Sequence, residues 1–193
     1  LVVITSDHGE EFWEHGQYGH HQVYDHTLHV PLLVRTPGQV EGVRRSENVE
    51  LIDLMPSLLS FAGLSIPPSA MGRTLNFGES IQEGGTHHAI AETNWPEAQI
   101  GIRQGDVKAM LFPDSNRQPE VYFLAEDAEE FQNLSGQAKG KYFLNQTMNV
   151  LQSWETLCKK TRTLYQLSPA LRNIRQLSPE RLAELRGLGY VSE

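Results

Sequence analysis

The stretch Leu1-Val2-Val3-Ile4-Thr5-Ser6-Asp7-His8-Gly9 decides the fold that this sequence predicts. Its first four residues form an unbroken apolar run, which is typical of a strand buried on both faces of a parallel sheet. Asp7 and His8 would then follow the carboxyl end of that strand, where open α/β sheets bind their ligands. A carboxylate oxygen and an imidazole nitrogen can coordinate one divalent cation, and Gly9 would let the chain turn sharply after them. The pattern therefore predicts part of a metal site.

Histidine is concentrated around this stretch, because six of the eight histidines fall within the first 29 residues. Three of them lie in the loop that follows and favour the metal interpretation: His15, His20 and His21. The residues alone leave a second interpretation open, in which Asp7 caps a turn and His8 bonds to the backbone. The neighbouring acids are interpreted as a solvated face of the loop: Glu10, Glu11 and Glu14.

Composition restricts the classes of function. The chain has 193 residues, enough to bury a core, and its net charge is −8. That charge argues against nucleic acid or an anionic membrane as a partner, because both favour clustered Lys and Arg. No apolar run approaches the roughly 18–20 residues that span a bilayer. The chain opens without Met, inside a strand pattern, and we therefore read it as a fragment whose N-terminal region lies upstream.

Local patterns divide the chain into three predicted parts. Residues 1–78 read as the C-terminal part of an α/β catalytic domain, with a second strand at 30–34 and a helix at 50–59 that Gly63 ends. Residues 79–140 read as a small antiparallel sheet, with alternating runs at 88–92, 99–103, 107–112 and 121–124. Residues 141–193 read as a helical tail, with one helix at 142–159 and another that starts at Ser178.

A series of motifs continues far beyond the first strand. In order they are Thr5-Ser6-Asp7-His8-Gly9-Glu10, Glu14-His15-Gly16, Gly19-His20, Tyr24, 30–38, 51–59, Ala62-Gly63-Leu64, Gly72-Arg73-Thr74-Leu75, 120–124 and 185–191. In this order they resemble the later active-site block and C-terminal region of sulfatases, which belong to the alkaline-phosphatase-like superfamily. On this resemblance the chain is identified as a sulfatase-family member. The resemblance implies a remnant of that α/β fold, followed by a small antiparallel sheet and helices.

The resemblance also implies roles for individual residues. Asp7 and His8 would be two ligands of a divalent cation. Ca²⁺ is expected first, because sulfatases often have Asn at the second position and bind that ion. The softer histidine in that place leaves Mg²⁺, Mn²⁺ or Zn²⁺ open. His20 would contact the sulfate and donate a proton to the leaving-group oxygen, a task that suits a side chain with an ordinary pKa of about 6.5. His21 is the rival for that role, and His15 would line the substrate cleft or support the site from behind.

The nucleophile that the resemblance implies is not in this chain. Sulfatases attack sulfur with a formylglycine made from the cysteine of a Cys-x-(Pro or Ala)-x-Arg motif, which is expected upstream of Leu1. Cys158-Lys159-Lys160-Thr161-Arg162 has the spacing but carries Lys where Pro or Ala belongs. Cys158 is therefore interpreted as an ordinary helix residue.

Three functions remain open from the sequence. The first is a sulfuric-ester hydrolase acting on small-molecule or carbohydrate sulfate esters. This chain would carry part of its active site and would be inactive alone. The second is a phosphonate or phosphate mono- or diester hydrolase of the same superfamily, because a Ser or Thr nucleophile would give that chemistry. The third is a non-catalytic truncated product. The sequence leaves location and oligomeric state open.

Overall fold

The computed structural model of the chain describes residues 1–77, 87–94, 96–164 and Glu180. Two compact units make up the chain, Leu1–Leu151 and Gln152–Glu193. The division into three parts at 78 and 140 stays a prediction. The helix expected to start at Ser178 and the motif at 185–191 lie outside the described residues, apart from Glu180.

Short elements make up the first 61 residues. In chain order they are β1 (Val2–Thr5), β2 (Glu11–Phe12), β3 (Tyr18–Gly19), α1 (Asp25–Leu28), β4 (Leu32–Arg35), a 3₁₀ turn (Leu51–Asp53) and α2 (Leu54–Phe61). The histidine-rich loop between β1 and β4 thus folds into a small hairpin, β2–β3, followed by one turn of helix.

The environment of β1 differs from the expectation. Within the described residues β1 has one neighbouring strand, β4, and the two run antiparallel, with Val2 opposite Arg35. Val2 and Ile4 are 55% and 58% exposed. The expected parallel, doubly buried strand was therefore wrong for this part of the chain. An apolar run favours an extended conformation but does not specify the direction of its partner, which depends on the chain between the strands.

The helix predicted at 50–59 is confirmed. The 3₁₀ turn leads directly into α2, and Gly63 follows it with a φ of 69°, the left-handed conformation that commonly ends helices. At the start of the helix the fully buried Asp53 accepts a hydrogen bond from the backbone N–H of Arg73 at 2.8 Å. A Cβ on Gly72 would lie 2.0 Å from the carbonyl oxygen of Ile52, so only glycine allows this segment to approach the turn.

The four alternating runs after residue 87 form the antiparallel sheet that the sequence predicts. Its strands pair in the order of the chain: β5 (His88–Thr93), β6 (Gln99–Gln104), β7 (Val107–Leu111) and β8 (Glu120–Phe123). Each connection is short, as in a meander, so every strand pairs with its neighbour in sequence.

The two faces of this sheet have different coverings. On one face, Met110 and Tyr122 form a buried cluster with Val23 and Tyr24 of the histidine-rich loop. On the other face, Val121 packs with Phe143 of α3 (Ala138–Leu164). Alternation along the strands produces this division, because successive side chains point to opposite faces. The sheet therefore holds the loop that carries His20 and His21.

Helix α3 confirms and extends the helix predicted at 142–159. Its residues in the first unit bury Phe143, Thr147 and Leu151, which repeat every four residues along one face. Cys158 lies on this helix, as expected. Among the described helices, none combines the length and the apolar character needed to cross a membrane.

Candidate active site

Asp7 and His8 lie just after β1, separated from it by Ser6, and their side chains face one another. Nδ1 of His8 lies 2.8 Å from the carbonyl oxygen of Gly9. Because a carbonyl can only accept, Nδ1 carries the proton and Nε2 presents its lone pair. That Nε2 lies 3.8 Å from Oδ2 of Asp7, a separation shorter than two metal–ligand bonds of about 2.0–2.6 Å placed end to end. The pair therefore offers an oxygen and a nitrogen that fit one divalent cation.

Gly9 is required for a reason other than the expected sharp turn. Its N–H donates to the carbonyl oxygen of Thr27 at 2.8 Å, so the Asp7–His8 segment lies directly on α1. A Cβ at Gly9 would lie 2.0 Å from the carbonyl oxygen of His26. Close approach of two backbones, rather than a left-handed conformation, explains this glycine.

His20 is brought to the Asp7–His8 pair by the fold. Its ring stacks on that of His8 with the centroids 4.0 Å apart and the planes 22° apart. Nδ1 of His20 lies 3.2 Å from Oε2 of Glu10. Of the three acids interpreted as a solvated face, Glu11 is fully buried, so that interpretation was wrong for it. Glu10 is partly exposed, and its carboxylate orients His20. Its place in the Thr5–Glu10 motif was the signal that pointed to this role.

His21 lies beside His20, with ring centroids 5.0 Å apart. Burial, followed by the nearby His20, lowers the pKa of His21 below its ordinary value. The two histidines are not equivalent, because the carboxylate of Glu10 forms its hydrogen bond with His20.

His15 lies in a different environment from the other two loop histidines. Its ring stacks on Tyr24 with the centroids 3.6 Å apart and the planes 9° apart, and His26 and Phe131 are its other ring neighbours. Burial, followed by the nearby His26, lowers the pKa of His15. The fold therefore joins His8, Glu10 and His20 in one group, and His15 and His26 in another with Glu130.

Comparison with known proteins decides the family. The model of the family described as N-sulphoglucosamine sulphohydrolase, C-terminal, matches residues 13–156, well over half of the chain. The chain belongs to the sulfatase family. The match covers the histidine-rich loop from residue 13 onward, the antiparallel sheet and most of α3, and it begins after Asp7 and His8. The family and the fold class that the motifs predicted are therefore confirmed.

Individual relatives agree with this assignment. Arylsulfatase K of Mus musculus is 30% identical over 147 residues, which cover 70% of this chain and 27% of that protein. A solved protein in complex with its substrate, D-glucosamine-2-N,6-O-disulfate, is 25% identical, with a TM-score of 0.65 over 82% of this chain and 34% of the other. The phosphonate monoester hydrolase of Agrobacterium radiobacter is 24% identical, with a TM-score of 0.59 over 82% of this chain and 35% of the other, and shows the fold alone. This sulfatase chain spans about a quarter to a third of the length of these proteins.

Proposed function

We propose that this chain supplies the cation-binding Asp-His pair and the proton donor of a divalent-metal-dependent sulfatase that acts on sulfate esters. The observation that carries the proposal is the stack of His20 on His8, which places a titratable imidazole beside the two prospective cation ligands. Family membership supports the reaction class.

Asp7 and His8 are the proposed cation ligands. The hydrogen bond from His8 to Gly9 directs Nε2 toward the carboxylate of Asp7, which is the orientation that a shared cation requires. Ca²⁺ is the expected ion, with Mg²⁺, Mn²⁺ and Zn²⁺ as alternatives because His8 offers a nitrogen ligand. A bound divalent cation would draw negative charge from the sulfate oxygens.

His20 is the proposed proton donor. Since Glu10 holds Nδ1, the proton that the leaving-group oxygen receives comes from Nε2. His21 is proposed to contact the substrate beside it. His15 is assigned a supporting role, because its ring packs against Tyr24 rather than against His8 or His20.

The substrate and the nucleophile belong to the same proposal. A sulfated sugar is the preferred class of substrate, because the similar solved protein binds a glucosamine disulfate as its substrate. The nucleophile would be a formylglycine contributed from outside residues 1–193. Cys158, the chain's single cysteine, lies on α3 in a Lys-rich sequence that does not fit the formylglycine motif.

A second candidate is a phosphonate or phosphate ester hydrolase. The superfamily resemblance implies that relatives with this chemistry carry His rather than Asn after the aspartate, as His8 follows Asp7 here. The phosphonate monoester hydrolase also has the same fold. A third reading, a truncated product without catalysis, predicts that the substitutions below change nothing.

The test uses the full-length protein, with sulfate release measured from glucosamine sulfates and an aryl sulfate, and phenol release from a phenyl phosphonate. His20→Gln should lower kcat for the sulfate ester by about 10²–10⁴-fold. The exposed His29 provides the matched control, His29→Gln, which should leave kcat unchanged.

Metal content gives a readout that does not depend on activity. The double variant Asp7→Ala, His8→Gln should lose one equivalent of divalent metal relative to the parent. Retention of that equivalent, or turnover of the phosphonate in preference to both sulfate esters, would overturn the sulfatase assignment for this site.

A further inference from the structure

A second group of titratable side chains lies outside the Asp7–His8 site. It consists of His15 and His26 from the histidine-rich loop, Glu130 from the segment after β8, and Glu11 from β2. Atoms of His15, His26 and Glu130 that can bind metal all lie within 4.8 Å of one another. Glu11 is adjacent, because His26 and Glu130 both influence its pKa.

Within the described residues, the buried side-chain atoms that lack a hydrogen-bond partner gather in this group. They include Oε2 of Glu11, Nε2 of His15 and Nδ1 of His26. Oε1 of Glu130 forms an ion pair with Nζ of Lys108, at a distance of 2.7 Å. Glu11 and Glu130 are 0% and 1% exposed, so water does not reach these carboxylates freely. Buried polar atoms without partners are rare in native proteins, and several in one place point to a ligand.

Both histidines are held with a lone pair available. Nε2 of His26 lies 3.2 Å from Oε2 of Glu129, so it donates its proton there and Nδ1 becomes the lone-pair atom. His15 bonds to the backbone of Glu129, and because its Nε2 has no partner the bond comes from Nδ1. Histidines that bind metals usually donate their other nitrogen to a carboxylate or a backbone carbonyl in this way.

The charge of the surroundings also fits a cation. Neutral histidines add no charge, and burial favours the neutral form of His15 by lowering its pKa. Six carboxylates face three cations in this region, which leaves three negative charges when all the acids are ionised. The carboxylates are Glu11, Glu14, Asp25, Glu120, Glu129 and Glu130, and the cations are Arg103, Lys108 and Arg117.

We propose that Nε2 of His15, Nδ1 of His26 and the carboxylate of Glu130 form a second metal site, specific for Zn²⁺, with Glu11 as the fourth ligand. Two imidazoles favour Zn²⁺ over Ca²⁺ or Mg²⁺, which prefer all-oxygen sites. Tetrahedral Zn²⁺ with bonds of about 2.0–2.1 Å needs ligand atoms about 3.4 Å apart. The ligand atoms of His15, His26 and Glu130 already lie within 4.8 Å of one another, so small side-chain rotations would bring these three to that spacing.

The site would have a structural role. His15 and His26 bracket the loop that carries His20 and His21, while Glu130 follows the last strand of the sheet. A zinc ion shared by these side chains would fix the loop on the sheet. The proposal does not depend on the chemistry at Asp7 and His8.

The test is Zn²⁺ and Co²⁺ binding to the chelator-treated full chain that already carries Asp7→Ala and His8→Gln, so that the first site cannot contribute. One equivalent should bind, and Co²⁺ should show the strong visible absorption of tetrahedral coordination. Adding His15→Gln and His26→Gln should abolish binding, whereas adding the control His29→Gln should not.

A further variant distinguishes loss of the zinc site from loss of folding. The side chain of Glu129 is 63% exposed and touches only the outer nitrogen of His26 in the proposed site. Glu129→Gln should therefore keep the fold and weaken Zn²⁺ binding by about 10–100-fold. Absence of a bound equivalent in the Asp7→Ala, His8→Gln chain, or binding that survives both histidine substitutions, would overturn the zinc site while leaving the sulfatase proposal intact.

Discussion

Nζ of Lys108 lies 2.7 Å from Oδ1 of Asp25, which links an inner strand of the antiparallel sheet to the helix α1 within the histidine-rich loop. The same ammonium lies 2.7 Å from Oε1 of Glu130 and is 1% exposed. Arg103 adds a second contact to Asp25 at 2.8 Å. Burial alone would raise the pKa of Asp25, but Lys108 and Arg103 outweigh it and hold that pKa below its ordinary value. The loop is therefore positioned by buried ion pairs as well as by apolar packing.

Replacing Lys108 should destabilise the protein strongly. In Lys108→Met the buried carboxylate of Glu130 loses its cationic partner and Asp25 keeps only Arg103, so the free energy of unfolding should fall by about 3–5 kcal/mol. Urea unfolding at pH 7 measures the change. Lys141, exposed on α3, provides the control Lys141→Met, which should stay within about 0.5 kcal/mol of the parent. A loss below about 1 kcal/mol in Lys108→Met would show that the pairs do not hold the loop.

Removing the charge of Glu10 should impair catalysis in the full-length enzyme. Glu10→Gln weakens the contact that orients Nδ1 of His20, so kcat should fall by about 10–100-fold, the usual effect of losing the hydrogen-bond partner of a functional histidine. KM should change little, because Glu10 is not proposed to contact the substrate. Steady-state kinetics on the sulfate ester measures both, with the exposed Glu126→Gln as the control. An unchanged kcat would remove Glu10 from the mechanism.

A methyl group at Gly9 should disturb the Asp7–His8 segment. The added Cβ of Gly9→Ala would meet the carbonyl oxygen of His26, and separating the two backbones should cost about 1–3 kcal/mol of unfolding free energy. The metal affinity of the Asp7–His8 pair should fall with it. Gly42→Ala is the matched control, since a Cβ there meets nothing within 4 Å. Thermal unfolding distinguishes them, and equal stability of the two variants would contradict the close approach.

Alkaline pH should destabilise the fold through Tyr122. Burial, followed by its hydrogen bond to Glu120, raises the pKa of Tyr122 well above its ordinary value. A phenol with a raised folded pKa contributes stability that is complete below pH about 10, the unfolded pKa, and is lost as the pH rises further. Between pH 10 and 11 the parent should therefore lose up to about 1.4 kcal/mol more per pH unit than Tyr122→Phe. Tyr142 is exposed, so Tyr142→Phe should show the same dependence of unfolding free energy on pH as the parent when measured by urea unfolding. The same pH dependence in all three proteins would contradict the prediction.

The sequence alone determined the family, the strands of the antiparallel sheet and the two longer helices. Alternation of apolar and polar residues is a local property, and it predicted all four strands of the sheet and the helices α2 and α3. The order of the motifs predicted the sulfatase family, and the adjacency of Asp7 and His8 predicted a candidate cation site without any knowledge of distant contacts.

Only the tertiary structure decided which charged side chains are buried and which histidines act together. Glu10 and Glu11 looked like equivalent loop acids, yet one orients His20 and the other is fully buried beside residues far along the chain. His15 and His20 looked like members of one cluster, yet the hairpin between β2 and β3 and the stacking on Tyr24 separate them. Burial and pairing depend on contacts between segments distant in sequence, such as Asp25 with Lys108, and local patterns carry no information about those contacts.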